Sequence, residues 1–162
     1  MTAQDIIKHL NLERHPEGGY FKETYRSMEV IELSNYQGKR NYSTAIYYLI
    51  LKHKISAFHK IKQDEMWHFY GGSPLELHVI SDRGEYEKVL VGNKFSQGEV
   101  PQYLVNGGNY FAARVIPGGD YSLVGCTVSP GFDFKDFTMP KRADLIRQFP
   151  EYATLITELT HS

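Results

Sequence analysis

From Tyr20 to Val128 the chain is a series of short apolar stretches separated by polar turns rich in glycine. Tyr20 to Arg26 alternates, with Phe21, Glu23 and Tyr25 on one side and Tyr20, Lys22, Thr24 and Arg26 on the other. That is the period of a strand. Neither side is wholly apolar, which suits a sheet edge or a strand that adds to a partner's sheet. Thr44 to Leu51 is continuously apolar, so both of its faces are expected to be buried. Further strands are predicted around His59, at Glu65 to Tyr70, Leu75 to Ile80, Tyr86 to Gly92, Tyr103 to Val105, Tyr110 to Val115 and Tyr121 to Val128. Asp82-Arg83-Gly84-Glu85 reads as a hairpin turn, and Gly107-Gly108 and Pro117-Gly118-Gly119-Asp120 divide the later strands. No helical pattern interrupts this series, which excludes parallel βαβ units and predicts an all-β sandwich or barrel.

Helical spacing is confined to the two ends. Thr2 can cap a short amphipathic helix to Leu12, with Ile6, Ile7 and Leu10 on one face, stopped by His15-Pro16-Glu17-Gly18-Gly19. At the other end Pro140 can start a helix carrying Ala143, Leu145, Ile146 and Phe149. Pro150 then breaks the run before a last turn or two through Tyr152, Leu155, Ile156 and Leu159. His15 reads as a loop residue rather than a ligand, and Asn35 to Lys39 as a surface loop.

A chain of 162 residues is the size of one domain and is long enough for a core that needs no covalent staple. Composition adds an aromatic excess, twelve Tyr, nine Phe and one Trp, which suits pleated surfaces and lined pockets. The net charge of −1, from 18 basic and 19 acidic residues, leaves no basic stripe, so nucleic acid is not an expected partner. The thin cluster of Lys52, His53, Lys54, Lys60 and Lys62 reads as a solvated strand end. The single cysteine, Cys126, sits in an apolar run and excludes an internal disulfide or a cysteine-based metal cluster. The N-terminal residues do not form a signal peptide, and no apolar run approaches the roughly 20 residues of a membrane span. A cytoplasmic location without a membrane partner is expected.

The chemistry concentrates in Ser56 to Gly72, SAFHKIKQDEMWHFYGG, where His59 and Glu65 sit on neighbouring predicted strands. This stretch resembles the first motif of the cupin superfamily, G-x5-H-x-H-x3-E-x6-G. His59, Glu65 and Gly72 keep their places, while Ile61 stands where the second histidine belongs. The second motif, P-x-G-x-x-H, aligns with Asn106 to Phe111, so Phe111 replaces the third histidine ligand. The chain resembles most closely a cupin-like family catalogued as a domain of unknown function. The resemblance rests on H-P-E-G-G (His15 to Gly19), S-T-A-I-Y-Y-L (Ser43 to Leu49), D-E-x-W-H-F-Y-x-G (Asp64 to Gly72) and P-L-E-L (Pro74 to Leu77). V-G-C-T-V-x-P-G-F-D-F-x-D-F (Val124 to Phe137) completes it. It implies an all-β cupin double-stranded β-helix, a jelly-roll barrel with short N- and C-terminal helices, commonly a homodimer.

Only His59 and Glu65 survive from the cupin ligand set, so no metal and no other cofactor is expected. His68 lies three residues from Glu65 and points to the opposite face of a regular strand; His78 is expected outside the core-facing set of Leu75, Leu77 and Val79. The remaining reading is a metal-free His59/Glu65 site that binds a small polar metabolite. Trp67, Phe69, Phe111 and Tyr48 would line the pocket and Gln102 would fix a polar group. If the site turns substrate over, isomerisation or epimerisation of a sugar-like metabolite is expected, by analogy with metal-free sugar-nucleotide epimerases of this fold, with His59 as base and Glu65 as orienting partner or acid. A binding or regulatory module without turnover is the alternative, and a divalent-metal enzyme a weaker one. Pro130 to Phe137 is either a lid carrying Phe132 and Phe134 or a connector outside the barrel.

Overall fold

The computed structural model describes all 162 residues. Helix α1 (Ala3–Leu10) starts at a reciprocal cap, in which Thr2 accepts the Asp5 amide and Asp5 accepts the Thr2 amide. Twelve strands follow: β1 (Glu13–Arg14), β2 (Tyr20–Arg26), β3 (Val30–Glu32), β4 (Lys39–Asn41), β5 (Thr44–Leu51), β6 (Ile55–His59), β7 (Asp64–Gly72), β8 (Leu75–Ile80), β9 (Tyr86–Val91), β10 (Gln102–Val105), β11 (Tyr110–Val115) and β12 (Tyr121–Ser129). Helices α2 (Arg142–Gln148) and α3 (Ala153–Glu158) close the chain, separated by a tight turn at Pro150.

The strands form two facing antiparallel sheets. One has the order β1-β2-β5-β12-β7-β10, the other β6-β11-β8-β9, and β3-β4 is a separate hairpin. The architecture is the all-β jelly roll expected from the sequence. No helix is long and apolar enough to cross a membrane.

Strands β5 and β8 are buried on both sides, each side for its own reason. On β5, Tyr48 and Ile50 point between the sheets, while Leu49 faces α1 and packs with Ile6 and Leu12. On β8, Leu75, Leu77 and Val79 point inward, whereas Ile80 joins Phe58, Tyr110 and Ala112 under Leu145, Phe149, Ile156 and Leu159 of the C-terminal helices. Each buried Leu or Ile contributes about 1.5–3 kcal/mol relative to exposure. The terminal helices therefore cover outer faces of the barrel, while the main apolar core fills its interior.

Two details differ from the sequence reading. Strand β1 pairs with Tyr20 and Phe21 at the start of β2, so the expected edge is confined to Lys22 to Arg26. The stretch around Asn35 to Lys39 is a loop as expected, but it joins β3 to β4 in a hairpin whose mixed polar strands carry no periodic signal.

Candidate functional site

At one end of the barrel lies a cavity of about 350 Å³, lined by residues that include His15, Glu17, Phe21, Glu23, Arg26, His59, Ile61, Glu65, Cys126, Val128 and the segment Phe132 to Phe137. Its size falls at the lower end of small-molecule pockets, which run to about 300–1,000 Å³.

Local backbone geometry assembles its polar centre. In the pairing of β11 with β6, Phe111 faces His59 but Ala113 faces Ser56, so β6 holds an extra residue. This bulge turns Ser56 and His59, three residues apart, toward the same side, which a regular strand forbids. Both then meet Glu17: Ser56 Oγ donates to Glu17 Oε1 at 3.0 Å, and His59 Nε2 lies 3.0 Å from Glu17 Oε2. Glu17 arrives on the turn before β2. There Gly18 and Gly19 have φ of +111° and +78°, and a Cβ on Gly18 would collide with the Ile55 carbonyl oxygen. Only glycine permits that approach. Tyr48 Oη donates to the Gly18 carbonyl at 2.5 Å, and the Ala57 amide to the Glu17 carbonyl at 2.9 Å, fixing the turn on the barrel.

The protonation pattern follows from these partners. His59 Nδ1 is 2.7 Å from the Ala57 carbonyl, which can only accept, so Nδ1 carries a hydrogen. With Nε2 facing a carboxylate, the ring is an imidazolium. Burial alone would lower its pKa, but the Glu17 charge and hydrogen bond more than offset this and raise it. For Glu17, burial pushes the carboxyl up, yet the charge and hydrogen bond of His59, helped by His15 and Ser56, bring it down to about 2. The His59 ring lies between Phe111, at a centroid distance of 4.1 Å, and Phe137, stacked at 5.4 Å, whose π faces favour a cation. His15 is different. Its Nδ1 accepts the Glu17 amide at 3.2 Å, and burial lowers its pKa against the opposing charge of Glu17.

Glu65, on β7, also lines the cavity, and no hydrogen bond from a nitrogen or hydroxyl reaches its carboxyl. Burial first, and then the Glu17 carboxylate, raise its pKa to about 7, while His59 and the Cys126 thiol act in the opposite direction. Burial, with Glu65 next, keeps the Cys126 thiol neutral.

The other residues singled out in the sequence lie elsewhere. Trp67, Phe111 and Tyr48 are fully buried and fill the barrel interior rather than the cavity wall, Phe111 acting as packing for the His59 ring and Tyr48 as the anchor of Gly18. Phe69 is half-buried against the same core. Gln102 is exposed on β10, where its Nε2 donates to His68 Nδ1 at 3.2 Å, and His68 in turn pairs with Thr127 on that outer face. His78 is bonded outside the barrel to Tyr86 and Glu76. Glu17 and Ser56 join the site although no role there is expected for them from the sequence, and His15, expected as a loop residue of the H-P-E-G-G turn, lines the cavity as well. The signal for Glu17 is the glycine pair that follows it.

Metal ligation does not fit this donor set. Ile61 and Phe111 occupy two of the cupin ligand positions, both nitrogens of His59 are hydrogen-bonded, and no group of three or more His, Cys, Asp or Glu is arranged to hold an ion. Segment Pro130 to Phe137 forms part of the cavity wall through Phe132, Asp133, Phe134 and Phe137.

Three relatives are similar to this chain over most of its length. An uncharacterized protein of Saccharomyces cerevisiae is 33% identical over 94% of this chain and 83% of its own length. A hypothetical protein from Leishmania major superposes with a TM-score of 0.94 at 37% identity, covering both chains completely. Protein SO0799 from Shewanella oneidensis gives 0.91 at 37% identity, covering 99% of this chain and 98% of its own. Residues 4–140 match the family described as Cupin superfamily (DUF985). With the jelly roll, this match over most of the chain makes the protein a member of that cupin family.

Proposed function

We propose that the cavity binds a small polar metabolite and moves a proton on it, as an isomerase or epimerase of a sugar-like substrate does. The observation that carries this reading is Glu65: a buried carboxyl facing an aromatic-lined cavity, without a nitrogen or hydroxyl partner, beside the His59–Glu17 ion pair. A carboxyl with a pKa of about 7 is matched to proton exchange near neutrality. The charges support a division of labour opposite to the one expected from the resemblance. Glu65 takes the proton from the carbon beside a carbonyl, and the electron pair moves onto the carbonyl oxygen as an enediolate. The imidazolium, its two N–H groups engaged by Ala57 and Glu17, gives that oxygen no hydrogen bond and only the part of its charge that Glu17 leaves uncancelled. Glu65 then returns the proton to the neighbouring carbon, whose hydroxyl becomes the new carbonyl as its proton passes to the original carbonyl oxygen, which completes an aldose–ketose isomerisation.

The test is uptake of solvent deuterium at the α-carbon of small hydroxyaldehydes and ketoses, followed by NMR. Glu65→Gln is expected to slow it by about 10²–10⁴-fold. Unchanged uptake in the variant sinks the reading. Absence of uptake in the wild-type protein favours binding without turnover, the alternative that the full engagement of both His59 nitrogens supports. A second copy of the chain is the partner in this proposal, and a molar mass of one chain by light scattering would remove it.

A further inference from the structure

Four carboxyl groups line the cavity, Glu17, Glu23, Glu65 and Asp133, against two cationic side chains, Arg26 and His59. Both cations are already neutralised within the protein. His59 is held by Glu17 at 3.0 Å. Arg26 places Nε and Nη2 on Glu23 Oε1 at 3.1 and 2.6 Å, and Nη1 on Asn41 Oδ1 and the Phe132 carbonyl at 2.8 and 3.1 Å. The acceptors are less fully used. Both Arg26 bonds to Glu23 fall on Oε1, and Asp133 accepts the Lys135 amide through Oδ1 alone, so one oxygen of each is uncommitted, as is the Glu65 carboxyl. Beside them stand three phenyl rings at steep angles to one another. Phe132 and Phe134 meet at 81°, Phe132 and Phe137 at 78°, and Phe134 and Phe137 at 70°.

Unpaired acceptors, an excess of acidic groups and a corner of aromatic rings describe a site for an organic cation. With Glu17 and Glu23 paired to the two cations, Glu65 and Asp133 carry the remaining acidity, whose field the low-dielectric wall concentrates in the cleft, and an ammonium gains about 0.5–2 kcal/mol over an aromatic face. A phosphate or carboxylate would meet that field with no free cation to pair it, and the desolvation of such an anion would go uncompensated.

We infer that the ligand carries a protonated amine, seated among Asp133, Glu23 and the rings of Phe132, Phe134 and Phe137. This rests on the proposed metabolite site and narrows its substrate class to an amine-bearing sugar-like molecule. Phosphorylated sugars and sugar nucleotides are rejected. The amine lies toward the mouth, and the reacting carbon lies against Glu65.

Three six-membered rings of matched size separate charge from shape: cyclohexylammonium, cyclohexanol and cyclohexanecarboxylate, titrated into the full chain while the aromatic resonances of Phe132, Phe134 and Phe137 are followed by NMR. The ammonium is expected to saturate these shifts at least about tenfold more tightly than the carboxylate, a gap of about 1.4 kcal/mol, with the alcohol between them. Asp133→Asn, a half-buried change at the wall, should weaken the ammonium about fivefold while leaving the thermal midpoint and the alcohol unchanged. A carboxylate that binds as tightly as the ammonium, an alcohol that equals it, or an Asp133→Asn protein that binds it unchanged, overturns the charge assignment and leaves the pocket a small-molecule site. If no ring perturbs these resonances up to about 100 mM, both the charge assignment and the metabolite site fall.

Discussion

Three ionisable side chains in one cavity set how the protein responds to pH. Glu65 and His59 hold protons more tightly in the folded chain than in the unfolded one, and Glu17 holds its proton less tightly. Glu17 therefore contributes stability that is present above its unfolded value of 4.5 and is lost as pH falls toward 2. Glu65 acts in the other direction: ionising it in place costs stability, and the cost grows as pH rises from 4.5 to about 7. The His59 contribution is complete below the unfolded imidazole value of 6.5 and is lost as pH climbs through its raised folded value. Urea unfolding should accordingly show maximal stability near pH 5 and a decline toward pH 8, of which Glu65 supplies up to about 3 kcal/mol. In Glu65→Gln the fall between pH 4.5 and 7 should disappear while the later decline persists; a pH profile identical to the wild type would refute the assignment.

Among the elements, the segment after β12 carries both a wall and an anchor. Asp136 accepts Arg40 Nε at 2.8 Å and Nη2 at 2.9 Å, with Gln63 Nε2 at 2.7 Å, so β4 and the loop before β7 fasten the same carboxylate. Removing it strands a buried guanidinium. Asp136→Ala should cost about 3 kcal/mol and accelerate amide exchange from Phe132 to Phe137, whereas joint replacement of Arg40 by Met and Asp136 by Leu should restore most of the stability. At this scale the sequence is legible in part. Period-two alternation locates the strands, and the spacing of His59 and Glu65 places both at one cavity. Parity misleads where the backbone breaks it: the bulge in β6 brings Ser56 to the side of His59, an effect no pattern of side chains announces. Glu17 is hidden for another reason, since it comes from a turn about forty residues upstream and reaches His59 only by tertiary docking. Trp67 and Phe111 look like pocket aromatics by their motif positions, yet the barrel is narrow enough for their rings to fill its interior.

For the molecule as a whole, packing and chemistry are separated by the four-stranded sheet. Its outer face carries the apolar cluster under α2 and α3, and its inner face, through His59, reaches the cavity. Leu145→Ala, at a fully buried position of that cluster, should cost about 2–5 kcal/mol in urea unfolding. Ring binding in the cavity should be unchanged, and a parallel loss of binding would show that the two faces are coupled. The fold class is readable because turn chemistry and alternation agree along the whole run of strands from Tyr20 to Val128. The N-terminal helix explains why β5 reads as apolar on both sides.

Cys126 is the only cysteine in the chain, and its side chain ends at the cavity wall next to Glu65. That sulfur belongs to a residue lining the cavity, and burial keeps the thiol in its slow, neutral form. The protein thus holds a native occupancy gauge. Whatever molecule shields Cys126 from alkylation reports its own presence, so fractions of a cell extract can be sorted by protection alone, without a chromophore, an assay or a guess at the ligand's identity.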